Sequence, residues 1–294
     1  MKDFAVSDFR PRRSVLFMPA SNARALEKAK TLACDAVIFD LEDAVSPDAK
    51  EEAREQAVAT IKFGEYGHRE RIIRINGLNT DWWQDDLAAA ASVKPDAILV
   101  PKIESANDVK AIAGALLAQG DMDTAIWAMM ETPLGFLNAQ EIVGASERLQ
   151  CVVIGTNDLV KDLGASHTPS REPVITALGL AMLAARTRDI TILDGVYNDF
   201  KNTEGLHAEC EQAKAMGFDG KTLIHPSQIE TVNNVFAPSP EEVAFAERMI
   251  SAFDKAKADG KGVAVLDGKM IEELHVEQAR KIKATAEAIA DIGH

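Results

Sequence analysis

Ala36-Val37-Ile38-Phe39 runs straight into Asp40-Leu41-Glu42-Asp43. Four consecutive apolar residues without polar alternation suit a strand covered on both faces, as in a parallel sheet. The abrupt change to carboxylates marks the end of that strand. The same pattern recurs on either side. Ser14–Met18 is ended by Pro19, and Arg71–Ile75 by Asn76-Gly77. Ala97–Val100 leads to Pro101-Lys102, Ala125–Met130 to Glu131, and Val152–Ile154 to Gly155-Thr156-Asn157-Asp158. Ile190–Leu193 leads to Asp194-Gly195, and Gly220–Ile224 to His225-Pro226. Amphipathic stretches lie between the runs. One starts at Asn22 with Ala25, Leu26, Ala29 and Leu32 on one face, and another covers Ala49 to Lys62. Eight such units in ~240 residues predict an α/β fold, a (β/α)8 TIM barrel. The alternative, a doubly wound open sheet, is weakened because no GxGxxG turn follows the first strand.

Ala237-Pro238-Ser239-Pro240 interrupts the helical pattern after Phe236. A long helix from about Glu241 to Asp259 follows, then Gly260-Lys261-Gly262, a short apolar run to Leu266, a turn at Asp267-Gly268, and a last helix from about Leu274 to Ala290. The expected division is therefore a barrel over 1–236 and a C-terminal extension over 237–294.

The chain has 294 residues, with 47% hydrophobic and 27% charged, the usual mix of a globular protein with a sizeable core. Its 46 acidic against 32 basic residues give a formal charge of −14. That argues against a nucleic-acid partner, which would need a basic face. It permits an anionic substrate if Arg and Lys cluster in one cleft. Cys34, Cys151 and Cys210 are far apart and form no CxxC pair, which argues against a disulfide framework or zinc site and for a reducing cytosol. Met1 to Arg13 is polar, without a signal-peptide core, and no apolar run approaches the ~18–20 residues that span a bilayer. The expectation is a soluble cytoplasmic protein without a membrane partner.

In such a barrel the site lies at the C-terminal ends of the strands. The polar residues there are Asp40, Glu42, Asp43, Arg74, Asn76, Lys102, Glu131, Asn157, Asp158, Asp194 and Lys221. Carboxylates gathered there need cations among them. Glu131 and Asp158 are the candidate metal ligands, and two carboxylates completed by water and a substrate oxygen suit Mg²⁺. Zinc is poorly supported, because His225 is the only histidine beside a strand end. Arg74 is placed to hold a carboxylate or polarise a carbonyl, or to pair with Asp40 or Glu42. Arg13, Arg24, Lys28 and Lys30 lie near the end of the first strand. They read either as a solvated basic face or as receivers for the phosphates of an extended ligand such as coenzyme A. Trp82 and Trp83 either wall the pocket or pack a helix.

Several motifs taken together resemble the citrate lyase beta subunit/malyl-CoA lyase (HpcH/HpaI aldolase) family. They are Arg13-Ser14 with Pro19, Asp40 to Val45, Arg74-Ile75-Asn76-Gly77, Pro101-Lys102, Glu131-Thr132, Gly155 to Leu159, Gly217 to Lys221, and Ile224-His225-Pro226. Tyr66-Gly67-His68, Trp127 to Thr132, Gly195-Val196-Tyr197-Asn198 and Glu209 to Gln212 look most like its (3S)-malyl-CoA thioesterase branch. The resemblance implies a barrel with a C-terminal helical lid, assembled as a homotrimer or homohexamer in which the lid reaches a neighbouring subunit. It implies Mg²⁺ (Mn²⁺ as a substitute) on Glu131 and Asp158, and Arg74 on the 2-oxo-acid portion of the substrate. Phe17 and Lys28 match positions lining the CoA site, and Asn22 stands where lyases carry a CoA-contacting Arg, with Arg24 two residues on. Arg13 and Asn76 complete the binding candidates. After Gly268-Lys269-Met270-Ile271, Glu272 takes the place of the lyases' lid Asp, and with Arg74, Glu42 and Asp43 it makes up the catalytic candidates. The implied activity is hydrolysis of (3S)-malyl-CoA to malate and CoA. The alternatives are C–C cleavage of malyl-, methylmalyl- or citramalyl-CoA, and a citrate lyase beta-like subunit serving a carrier-dependent complex.

Overall fold

The computed structural model describes residues 10–292. The polar segment 1–9, on which most of the N-terminal reading rests, and residues 293–294 lie outside the described residues. Eight strands occur in chain order: β1 Ser14–Pro19, β2 Ala36–Asp40, β3 Glu70–Arg74, β4 Ala97–Val100, β5 Ala125–Met130, β6 Leu149–Ile154, β7 Thr191–Asp194 and β8 Gly220–Leu223. Each pairs in parallel with the next, and β8 closes on β1. This is the (β/α)8 barrel, and the open-sheet alternative is excluded.

The apolar runs lack alternation because both faces of each strand are covered, but alternation still governs where each side chain goes. Val15, Ile38, Ile72, Leu99, Trp127, Met129, Cys151, Val153 and Leu193 fill one buried cluster, the barrel interior. At the N-terminal end Arg12 stacks over the Trp127 ring, 5.0 Å from its centroid, and donates to Glu70 and Thr191. Counting two residues onward from the interior set reaches Asp40, Arg74, Glu131 and Gly155. Sequence parity alone therefore puts these four at the inner rim of the C-terminal mouth.

Parity also corrects two strand-end expectations. Asp194 follows inward Leu193 and pairs in register with Lys221, so both face the helical layer. Lys221 Nζ donates to Asp194 Oδ2 and Glu209 Oε1, each at 2.6 Å, and Arg171 Nη1 donates to both Asp194 oxygens at 2.7 and 2.8 Å. Arg171 Nε adds Gln212 at 2.8 Å. A buried charge is costly unless paired and hydrogen-bonded, and this group is both, so Asp194 and Lys221 clamp sheet to helices.

The chain divides into two compact units, Arg12–Asn234 and a second beginning at Val235. The second contains a helix Pro240–Ala258, opened by a reciprocal Ser239/Glu242 cap. A hairpin of β9 Ala264–Leu266 and β10 Lys269–Ile271 and a helix Glu273–Ile292 follow. Phe253, Ala264, Ile271 and Val276 form its small core. Among the described residues no helix is long and apolar enough to cross a membrane.

Candidate active site

Asp40 and Arg74 are register partners on neighbouring strands. Their side chains therefore meet inside the mouth, and Arg74 Nε and Nη2 donate to the two Asp40 oxygens at 2.7 Å each. Asp40 is itself fixed by the backbone N–H groups of Glu42 at 2.8 Å and Ala44 at 3.2 Å. Arg74 Nη1 lies 2.9 Å from Glu42 Oε2 and 3.5 Å from Asp43. Its guanidinium sits over the half-buried Phe17 ring, 4.7 Å from the centroid. Burial works against the Arg74 charge, but Asp40, Glu42 and Asp43 overcome it and hold the pKa above its ordinary value. The expected pairing with Asp40 is present, and it takes two of the five N–H groups of the fork.

Glu131 is the next inward residue after Met129 and is buried. Its Oε1 accepts from the backbone N–H of Lys102 at 2.9 Å. Burial, with Glu42 and Asp158 adding like charge, pushes its carboxyl up to about 7. Gly155 completes the seat: a Cβ there would overlap Glu131 Cβ and Oε2, so only glycine leaves the carboxylate its place. Asp158 lies not at the strand end but in the first turn of the helix Thr156–Asp162, where the dipole favours an acid. Glu42 is likewise raised, by burial first, and its buried Oε2 has no well-aligned hydrogen bond despite the nearby Arg74.

Lys102 joins these acids. Its ammonium lies 3.3 Å from Glu42 Oε1 and 3.4 Å from Asp158 Oδ2. Its backbone has φ +52°, uncommon for a long side chain. Burial lowers its pKa, but Glu42, Glu131 and Asp158 outweigh that and raise it overall. Lys50 also converges here, donating to the carbonyls of Leu41 and Glu42 at 2.7 Å each and lying over the Trp82 ring. Trp82 therefore packs the support of the mouth.

The sequence profile of the HpcH/HpaI aldolase/citrate lyase family matches residues 13–226. The chain belongs to the HpcH/HpaI aldolase/citrate lyase family. Within it, the chain is 54% identical to a (3S)-malyl-CoA thioesterase of Cereibacter sphaeroides over 95% of this chain and 96% of that one. It is 35% identical to the citrate lyase subunit beta of Escherichia coli, over 95% and 94%. A solved structure of the protein CitE from Mycobacterium tuberculosis, in complex with magnesium, acetoacetate and coenzyme A, superposes with a TM-score of 0.77. Its identity is 30%, over 94% of this chain and 98% of that one.

Arg13 and Asn76 depart from expectation. Arg13 precedes β1 and is buried at the opposite end of the barrel, bound through its fork and backbone N–H to Asp35 at 2.7–2.9 Å. It cannot line the mouth, because nearness in sequence to the strand is not nearness to its C-terminal end. Asn76 is also buried, and its backbone N–H and Nδ2 both donate to Asp86 Oδ2, at 3.0 and 2.6 Å. It braces its loop against the helix Trp83–Val93 instead of presenting a free amide. Asn22 caps the helix Ala23–Ala29 by accepting from Ala25 N at 3.1 Å. Arg24 and Lys28 are exposed on that helix, while Lys30 pairs with Glu27. His225 caps the turn Pro226–Gln228 and stacks on Phe200. Glu272 is exposed in the second unit, where its carbonyl begins the last helix and its N–H donates to His275 Nδ1.

Lys50 and Lys102 gained no role from the sequence. A signal for Lys50 existed: it shares the buried stripe Lys50, Ala53, Ala57, Ile61 of its helix, where a lysine needs a partner. For Lys102 the strand parity points outward, and only the left-handed turn brings its ammonium to the acids.

The chemistry of the donor set decides whether a metal fits. Among the described residues no three His, Cys, Asp or Glu side chains converge to hold an ion unaided. A pair of hard carboxylates, one buried with its charge under-compensated, fits Mg²⁺, which keeps several waters.

Proposed function

We propose that the chain is a Mg²⁺-dependent enzyme that hydrolyses (3S)-malyl-CoA to malate and CoA, with Mn²⁺ able to substitute. The observation that carries this is that Lys102 reaches Glu131 through its N–H and Asp158 through its ammonium, and shares Glu42 with an Asp40-fixed Arg74 at one barrel mouth. The 54% identity to malyl-CoA thioesterases along nearly the whole chain supports the acyl group and the reaction. The M. tuberculosis relative, whose complex contains magnesium and coenzyme A, supports the ion and the carrier.

Glu131 and Asp158 would hold the Mg²⁺. When bound, the ion supplies Lewis-acid stabilisation of negative charge on substrate oxygens. Arg74, with two N–H groups locked on Asp40, has others left for the substrate's carboxylate end and arrives pre-oriented. Glu42, raised by burial and next to Arg74, and the exposed Asp43 are the groups placed to move a proton at the mouth. Phe17 lines the floor beneath Arg74, and Arg24 and Lys28 receive CoA phosphates. In the net reaction a water oxygen bonds to the thioester carbon, the C–S bond breaks, and the sulfur leaves as the protonated thiol. Glu272 serves as acid or base on a lid delivered by a neighbouring copy, in a cytoplasmic homotrimer or homohexamer.

C–C cleavage is the second reading, favoured by the 35% identity to citrate lyase subunit beta. Incubation with (3S)-malyl-CoA and Mg²⁺, following free thiol and glyoxylate separately, tells them apart. Thiol without glyoxylate is expected. Glyoxylate and acetyl-CoA without thiol would overturn hydrolysis, and inertness toward free CoA thioesters would favour a carrier-dependent subunit.

A further inference from the structure

Lys102 touches the acids of the mouth twice over. Its backbone N–H is bonded to Glu131, and its ammonium lies against Glu42 and Asp158, in a left-handed conformation that the surroundings must hold in place. An ammonium is a compact point charge on a flexible four-carbon stem, so it can occupy a cation's place and leave it without moving the backbone. The main-chain contact to Glu131 does not depend on where the ammonium goes. One residue thus has two separable functions: a fixed N–H that orients a metal ligand, and a mobile charge that neutralises the acids.

We propose that Lys102 is an internal counter-cation, holding Glu42 and Asp158 together in the metal-free protein and being displaced from Asp158 when a divalent cation enters. This rests on the metal reading of Glu131 and Asp158 and adds a positioning residue to it. Displacement makes the ammonium a competitor of the metal. Removing it should tighten metal binding while loosening the metal-free protein, a pairing of opposite signs that loss of ordinary packing does not give.

The test is a calorimetric titration of Mn²⁺ alone into wild type, Lys102→Met, Lys102→Gly and Lys102→Arg. Thermal melts are run on each with and without the ion. Lys102→Met keeps the stem and N–H, and Lys102→Gly keeps the N–H and relieves the left-handed backbone. If one variant fails to fold, the other carries the measurement. Both should bind Mn²⁺ about two- to fivefold more tightly than wild type, the scale of removing one partly exposed ion pair. Lys102→Met should melt lower than wild type without the ion and gain more on its addition, and Lys102→Arg should stay close to wild type in affinity. Unchanged or weaker Mn²⁺ binding in the Met and Gly variants, with wild type binding normally, would overturn the counter-cation role alone. Failure of wild type itself to bind Mn²⁺ would instead overturn the metal reading on which it stands.

Discussion

The smallest decisive feature is a missing methyl group. Gly155 leaves room for the Glu131 carboxylate, so Gly155→Ala should cost about 1–3 kcal/mol in denaturant unfolding and weaken Mn²⁺ binding. A variant with wild-type stability and affinity would show that the carboxylate is not seated there. Arg74→Lys keeps the charge but loses the fork, and kcat/KM should fall about 100-fold while the Mn²⁺ affinity barely changes. Glu131 also has a pH signature. Its folded pKa, about 7, exceeds its ordinary value of 4.5, so the folded state binds the proton more tightly. That contribution is fully present below pH 4.5 and is lost as pH rises through 7. Metal-free wild type should therefore lose stability across this window relative to Glu131→Gln, read as melting temperature against pH, and parallel curves would contradict the assignment. At this scale much of the site was legible: once strands are counted, Asp40, Arg74 and Glu131 fall inward by parity. The conformation of Lys102 was not, because a single φ reverses the side-chain direction that parity dictates.

Among the elements, the strand runs reported the barrel because parallel strands covered on both faces read as unbroken apolar stretches, and here eight such short runs recur with helical patterns between them. What such runs hide is which polar strand-end residue faces in and which faces out. Asp194 and Lys221 look like members of the mouth until the β7–β8 register turns them toward the helices. Arg13 misleads for the opposite reason, since it stands at the beginning of its strand. The Arg171–Asp194–Lys221–Glu209 cluster makes an element-level prediction. Lys221→Met should cost about 3–5 kcal/mol in chemical denaturation, because it leaves the buried Asp194 without one of its two cations. A change below about 1 kcal/mol would show that β8 is not clamped through this lysine.

For the molecule as a whole, the proposal places metal and substrate recognition, with Glu42 and Asp43, in the barrel and adds one further acid or base, Glu272, from a neighbour's second unit. Glu272→Gln should then leave Mn²⁺ affinity intact while lowering turnover about 10²–10⁴-fold. Mixed oligomers of Glu272→Gln and Glu131→Gln chains should recover part of the activity that each lacks alone, and no recovery would place Glu272 outside the partner's site. The proposed role of Glu272 comes from the resemblance alone, since an exposed residue carries no local sign of a partner. The proposed chemistry needs two carboxylates gripping one ion, and Mn²⁺ binding to wild type, Glu131→Gln and Asp158→Asn measures that directly. One ion per chain is predicted for wild type, with affinity at least about 100-fold weaker in both variants. Equal stoichiometry and affinity in all three proteins would contradict it.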